Sequence, residues 1–127
     1  MSEQAMRVME KWRDGINAGD FETVINLYND GAQLLPTFSS DVRTAPTGVR
    51  AYFEDVAKAD SVVVQFIDDS IVIETLSDQL TLISGLYDWQ IEKESVVEEV
   101  KARFSCLIDT EKAAPLLHQH SSVVPGS

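Results

Sequence analysis

The stretch "LLHQHSSVVP", residues 116–125, holds both histidines of the chain, His118 and His120. Residues two apart on a strand share a face and lie roughly 6–7 Å apart along it. Two imidazoles so placed can share a zinc ion, and because histidine titrates near neutrality, either can move a proton. A metal site needs a third ligand. No Asp or Glu stands at a diagnostic spacing from the pair, so the residues call for no metal and no cofactor. The plainer expectation is a hydrogen-bonded pair that shapes a pocket or a subunit interface. Ser121 and Ser122 follow at once, but neighbours on a strand face opposite ways, which disfavours a serine–histidine nucleophile.

Asp88 stands between Tyr87 and Trp89, and Asp41 lies in "FSSDVRT". A carboxylate base working with a hydrogen-bond donor to an oxyanion is the minimum for isomerase-type chemistry. In an acidic chain most carboxylates are solvated surface, and only the aromatic neighbours of Asp88 single it out. Trp12, Tyr52, Tyr87 and Trp89 can pack their rings while presenting a polar atom to a cavity. In "VVEEVKARFSCLI" one face carries Val100, Ala102, Phe104, Cys106 and Ile108. The other carries Glu99, Lys101, Arg103, Ser105 and Leu107.

The elements that must position these residues belong to a chain of 127 residues, the size of one domain, 1–127. A net charge of −11 and a pI near 4.4 disfavour nucleic acid and anionic membrane surfaces. The single cysteine, Cys106, has no internal partner and reads as a small buried hydrophobe. No apolar run reaches signal-peptide or membrane-span length, so a cytoplasmic location is expected.

Apolar residues at Ala5, Val8, Met9, Trp12 and Ile16 predict a helix capped by Ser2 and stopped at Gly19. Asp20 reads as the cap of a short second helix, "NDG" at 29–31 as a turn, and "AQLLP" as a strand ended by Pro36. A polar loop follows, then a third helix capped by Thr47. From Ser61 onward β-branched residues predict four long antiparallel strands, with breaks near Ser77-Asp78, Glu92–Glu94 and Asp109–Glu111. Helices first and strands second predict an α+β fold with helices on one face of an antiparallel sheet.

Four segments carry a family likeness: "NAGDFETVINLY" at 17–28, "LLPTFSSDVRTAPTGVRAYFE" at 34–54, "VKARFSCLI" at 100–108 and "HQHSS" at 118–122. In this order they resemble the nuclear-transport-factor-2-like (SnoaL-like) superfamily, closest to bacterial proteins similar to the association (hub) domain of calcium/calmodulin-dependent protein kinase II. The resemblance implies a cone: a curved antiparallel sheet with three N-terminal helices on its concave face, and a deep pocket between them. It also implies a homodimer or higher homo-oligomer joined through the sheet, and it places Arg103 inside the pocket. The chain departs from the pattern before its last strand, where "DTEKAAP" replaces the usual "DGKW", and of the hub's pocket arginines only Arg103 is matched.

A guanidinium in such a cavity takes a carboxylate through two parallel hydrogen bonds. That anion is either a small organic acid or a buried residue such as Asp88 or Glu99. The expected function is therefore a self-associating, small-molecule-binding domain, with Arg103, His118, His120, Tyr52, Tyr87 and Trp89 around the ligand. The alternatives are an isomerase-, dehydratase- or cyclase-type enzyme, or a purely structural hub. In the enzyme, Asp88 or His120 moves a proton while Arg103 or Tyr87 steadies negative charge.

Overall fold

The computed structural model describes residues 2–126. The first helix, α1 (Ser2–Ala18), buries Ala5, Met9, Trp12 and Ile16 along one side, as the spacing predicts. Ser2 is already helical, so the cap position before it lies outside the described residues. Gly19 takes φ +72° and donates to the Ile16 carbonyl, closing the helix with the left-handed residue that favours glycine. Helix α2 (Phe21–Ile25) is capped by Asp20, whose carboxylate accepts from the Thr23 amide. The two helices touch closely at Gly15, where an added Cβ would stand 2.7 Å from Val24 Cγ2.

Strand β1 (Tyr28–Leu35) absorbs the "NDG" expected to be a turn. The three residues instead form an irregularity inside the strand: its register against the last strand shifts between Tyr28 and Gln33. Gly31 supplies the positive φ of +83° there, and Asn29 Nδ2 donates to the Ala114 carbonyl. A two-residue strand, β2 (Arg43–Thr44), interrupts the loop and pairs with β1. Helix α3 (Thr47–Val56) begins at the residue expected to cap it. Pro46 occupies the cap position and makes no side-chain cap bond.

The expected four long strands are five. "SVVVQFIDDSIVIETL" is broken by a 3-10 turn at Asp68–Ser70 into β3 (Ser61–Phe66) and β4 (Val72–Thr75), both antiparallel to β5 (Leu80–Lys93). The long hairpin of β5 with β6 (Val96–Asp109) turns on Glu94 and Ser95, at φ +52° and +67°. Strand β7 (Leu116–Val123) completes an open, curved, seven-stranded sheet ordered β2-β1-β7-β6-β5-β3, with β4 beside β5. One pairing departs from the antiparallel expectation: β1 and β7 run parallel.

The α+β class holds, with the helices over one face of the sheet. Alternation on β6 fixes which face. Ala102, Phe104, Cys106 and Ile108 are buried against the core, while Lys101 and Arg103 are exposed. Asn17 ties α1 to the sheet by donating to the Val64 carbonyl and accepting from its amide.

Candidate functional site

On the helix side the sheet gathers a polar-tipped aromatic cluster. Trp12 stacks on Tyr87 at 5.7 Å between ring centroids, Tyr87 on Phe66 at 6.2 Å, and Trp89 stands edge-on to Trp12 at 5.8 Å. Their polar atoms run into a buried network. Trp12 Nε1 donates to the Tyr28 hydroxyl at 3.0 Å, and Tyr28 donates to Gln119 Oε1. Tyr87 donates to Ser121 Oγ at 2.5 Å, and that hydroxyl also shares a hydrogen bond with Thr37. Burial pushes the Tyr28, Tyr52 and Tyr87 phenols well above their ordinary range, so all three stay protonated at neutral pH. The deep pocket implied by the resemblance is almost filled by these groups: about 10 Å³ of free space remains, the room of a single water.

Its wall includes Tyr52, Tyr87 and Trp89, but no Asp, Glu, Lys, Arg or His. Trp89 is 2% exposed, and its Nε1 is buried without a hydrogen-bond partner. The thiol of Cys106, in the same core, is held above its ordinary value by burial and is no nucleophile.

The charged candidates are on the other side. Arg103 is exposed and pairs in register with Leu86 and Ser122, facing away from the helices. Period-two alternation forces this, because Ala102 and Phe104 take the inward positions. The position inside the cone implied by the resemblance is thus corrected. Arg103 Nε donates to Ser122 Oγ at 3.2 Å, and among the described residues it has no ion pair, with Asp88, Glu99 or any other carboxylate.

His118 and His120 lie on this outer face too, opposite Leu107 and Ser105, while Gln119 and Ser121 point inward. Asp88 aligns with Gln65 and Lys101, outside the aromatic cluster that flanks it in sequence. Arg103 and His120 share a concavity of about 600 Å³ with Ser84, Ser105, Ser122 and Leu86. Among the described residues no three His, Cys, Asp or Glu side chains gather closely enough to hold a metal ion.

The structure therefore splits the expected site into an interior part (Tyr52, Tyr87, Trp89) and an outer part (Arg103, His118, His120). Gln119, Ser121, Tyr28 and Thr37 are interior groups not singled out as lining from the sequence. For Gln119 and Ser121 the signal was the alternation of β7, usable only with the inward face of β6 and the strand register in hand.

The sequence pattern of the calcium/calmodulin dependent protein kinase II association domain matches residues 2–125. The chain belongs to this family. As an association domain it is similar in fold to a candidate member from Xanthomonas campestris, at 21% identity and a TM-score of 0.85, over 97% of this chain and 87% of that one. A ketosteroid isomerase-like protein from Erwinia carotovora atroseptica is similar at 11% identity and a TM-score of 0.76, over 94% and 92%. So is an NTF2-like protein with a cystatin-like fold from Novosphingobium aromaticivorans, at 8% identity and a TM-score of 0.76, over 98% and 82%. At these identities the likeness establishes the fold alone. No match is found among curated proteins. No helix among the described residues is long and apolar enough to cross a membrane.

Proposed function

We propose that this association domain self-associates through the outer face of its sheet and binds small molecules. One observation carries the reading. In a chain of net charge −11, the two central rows of that face hold no acid. They run Leu86–Arg103–Ser122 and Val72–Ser84–Ser105–His120–Leu35. Interface cores are depleted in charge, with arginine the exception. Leu86 and Val72, 40% and 63% exposed, leave apolar surface on this face beside a guanidinium that has no ion pair among the described residues, a combination that suits a covering surface. A two-fold pairing puts the same rows against each other, so each Arg103 meets groups of the second copy.

Arg103 takes a carboxylate, either from the second copy or from a small organic acid seated with His120 in the outer concavity. The two compete for one guanidinium. The cone interior is the other place for a ligand, and it differs in kind because it carries no charge.

The isomerase-type reading has less support. Asp88 and His120 face outward, and the interior offers phenols that stay protonated. Those can donate to an oxyanion, but no base beside them removes a proton. The kinship with a ketosteroid isomerase-like fold adds no residue to that chemistry.

Sedimentation equilibrium of the purified chain and of Leu86→Asp tests the proposal. A dimer or larger assembly that becomes a folded monomer in the variant supports it. A wild-type monomer at high protein concentration ends it.

A further inference from the structure

We infer that the outer concavity is a site for a hydroxylated monocarboxylate, an acid of the aldonic type, with Arg103 holding the carboxylate and Ser84, Ser105, Ser122 and His120 holding the hydroxyls. This rests on the reading that the concavity seats a small acid, and it names the class of that acid.

The site is a block of two rows on the sheet face away from the helices. Arg103 stands between Leu86 and Ser122, and Ser105 stands between Ser84 and His120. Cross-strand neighbours on one face lie about 5 Å apart, and successive rows roughly 6–7 Å apart. Four hydrogen-bonding groups thus surround one guanidinium within reach of a single small molecule, in a concavity of about 600 Å³. A fifth hydroxyl there, Ser70, is already engaged. It donates to the Ile67 carbonyl at 2.6 Å and accepts from the Leu86 amide at 2.9 Å.

Charge sets the first half of the class. Among the described residues that line the concavity, Arg103 alone carries a fixed charge, and it has no ion pair. Its Nε donates to Ser122 Oγ, which leaves both terminal nitrogens for a carboxylate. In the flanking rows Asp88 stands in register with Lys101, and Glu74 lies beside Leu82 on the β4 side. One guanidinium balances one negative charge. A chain of net charge −11 repels a second, which disfavours phosphate dianions and dicarboxylates.

The hydroxyls set the second half. A serine hydroxyl both donates and accepts, and a neutral imidazole donates with one nitrogen and accepts with the other. A carboxylate only accepts, so it leaves the acceptor capacity of these groups unused, whereas a ligand hydroxyl uses both. Ser84 and Ser105 share a hydrogen bond at 3.2 Å, so one of their two protons stays free for a ligand. An acid the size of acetate reaches only the Arg103 row. A longer hydroxylated chain reaches the Ser105 row as well, with its C–H groups beside the half-exposed Leu86.

The probes are gluconate, its uncharged analogue sorbitol, and propionate, which has the charge without the hydroxyls. Each is titrated to excess, so that it competes with a second copy of the chain for Arg103. Nitrogen-15 amide resonances of Arg103, Ser105 and His120 report on the site. Gluconate is expected to move all three and to bind at least tenfold more tightly than sorbitol or propionate. Ser105→Ala, whose dispersed spectrum verifies its fold, is expected to weaken gluconate about fivefold and to leave propionate unchanged.

Propionate binding as tightly as gluconate, inorganic phosphate outcompeting it, or a gluconate affinity indifferent to Ser105→Ala overturns the inference while leaving a small-acid site standing. If no probe moves these resonances, the small-acid reading and the inference fall together. The self-association of the chain is measured separately by sedimentation and stands or falls on its own.

Discussion

Arg103 and Tyr87 sit on neighbouring strands of one hairpin yet face opposite sides of the sheet. Arg103 pairs with Leu86 and bonds Ser122 outward, whereas Tyr87 pairs with Ala102 and donates to Ser121 inward. A sheet one residue thick thereby separates the face that carries Arg103 from the aromatic interior, and substitutions on one side should leave the other unmoved.

Arg103→Ala is the outward case. Its removal should weaken self-association by about tenfold or more, as for a buried interface arginine. The Trp89 indole resonance should not shift. Sedimentation and nitrogen-15 spectra of one preparation check both. A changed Trp89 signal with unchanged assembly would return Arg103 to the interior.

Tyr28→Phe is the inward case. It strands Trp12 Nε1 and Gln119 Oε1, both bonded to that hydroxyl. Leaving buried polar groups unpaired costs about 1–3 kcal/mol. Urea unfolding should show a lower midpoint at the same slope, since the surface exposed on unfolding hardly changes. An unchanged midpoint would mean that water replaces the hydroxyl.

Alkaline pH should unfold the protein in two stages. Cys106, Tyr28 and Tyr87 have folded-state pKa values raised by burial above the ordinary 9.0 of a thiol and 10.0 of a phenol. The unfolded chain therefore releases these protons first. Stability is whole below those ordinary values and falls as pH rises past them. Urea midpoints measured up to about pH 11 should decline first near the thiol value, and Cys106→Ala should delay the decline to the phenol range. Identical profiles for the two proteins would remove the thiol from this account.

The β5–β6 hairpin should accept a better turn. Glu94 and Ser95 both adopt positive φ, which suits Asn-Gly. The double substitution should stabilise the chain by about 1 kcal/mol, read as a higher thermal midpoint. A loss would show that the Glu94 amide bond to Asp60 depends on the present turn.

Much of the fold was legible because its signals are local. The 3.6-residue spacing of Ala5, Met9, Trp12 and Ile16 and the Asp20 cap need no partner to be read. "NDG" was misread because the same residues serve a turn or a strand irregularity. Only the bond from Asn29 to Ala114, far along the chain, distinguishes the two. The site failed for a similar reason. Alternation says that His118 and His120 share a face and that Gln119 takes the other. Which face meets the helices depends on register with β6, and register is a property of the assembled sheet.

The parallel pairing of β1 with β7 joins Tyr28 to Leu116 and Leu35 to His120. These contacts close loops of most of the chain's length, and contacts of that separation form late. During synthesis the helices and the β5–β6 hairpin can form while the edge of β6 still lacks β7. For that interval the edge of β6 is open to any passing strand, so growth conditions that slow translation of the segment encoding β7 should favour aggregation of the nascent chain.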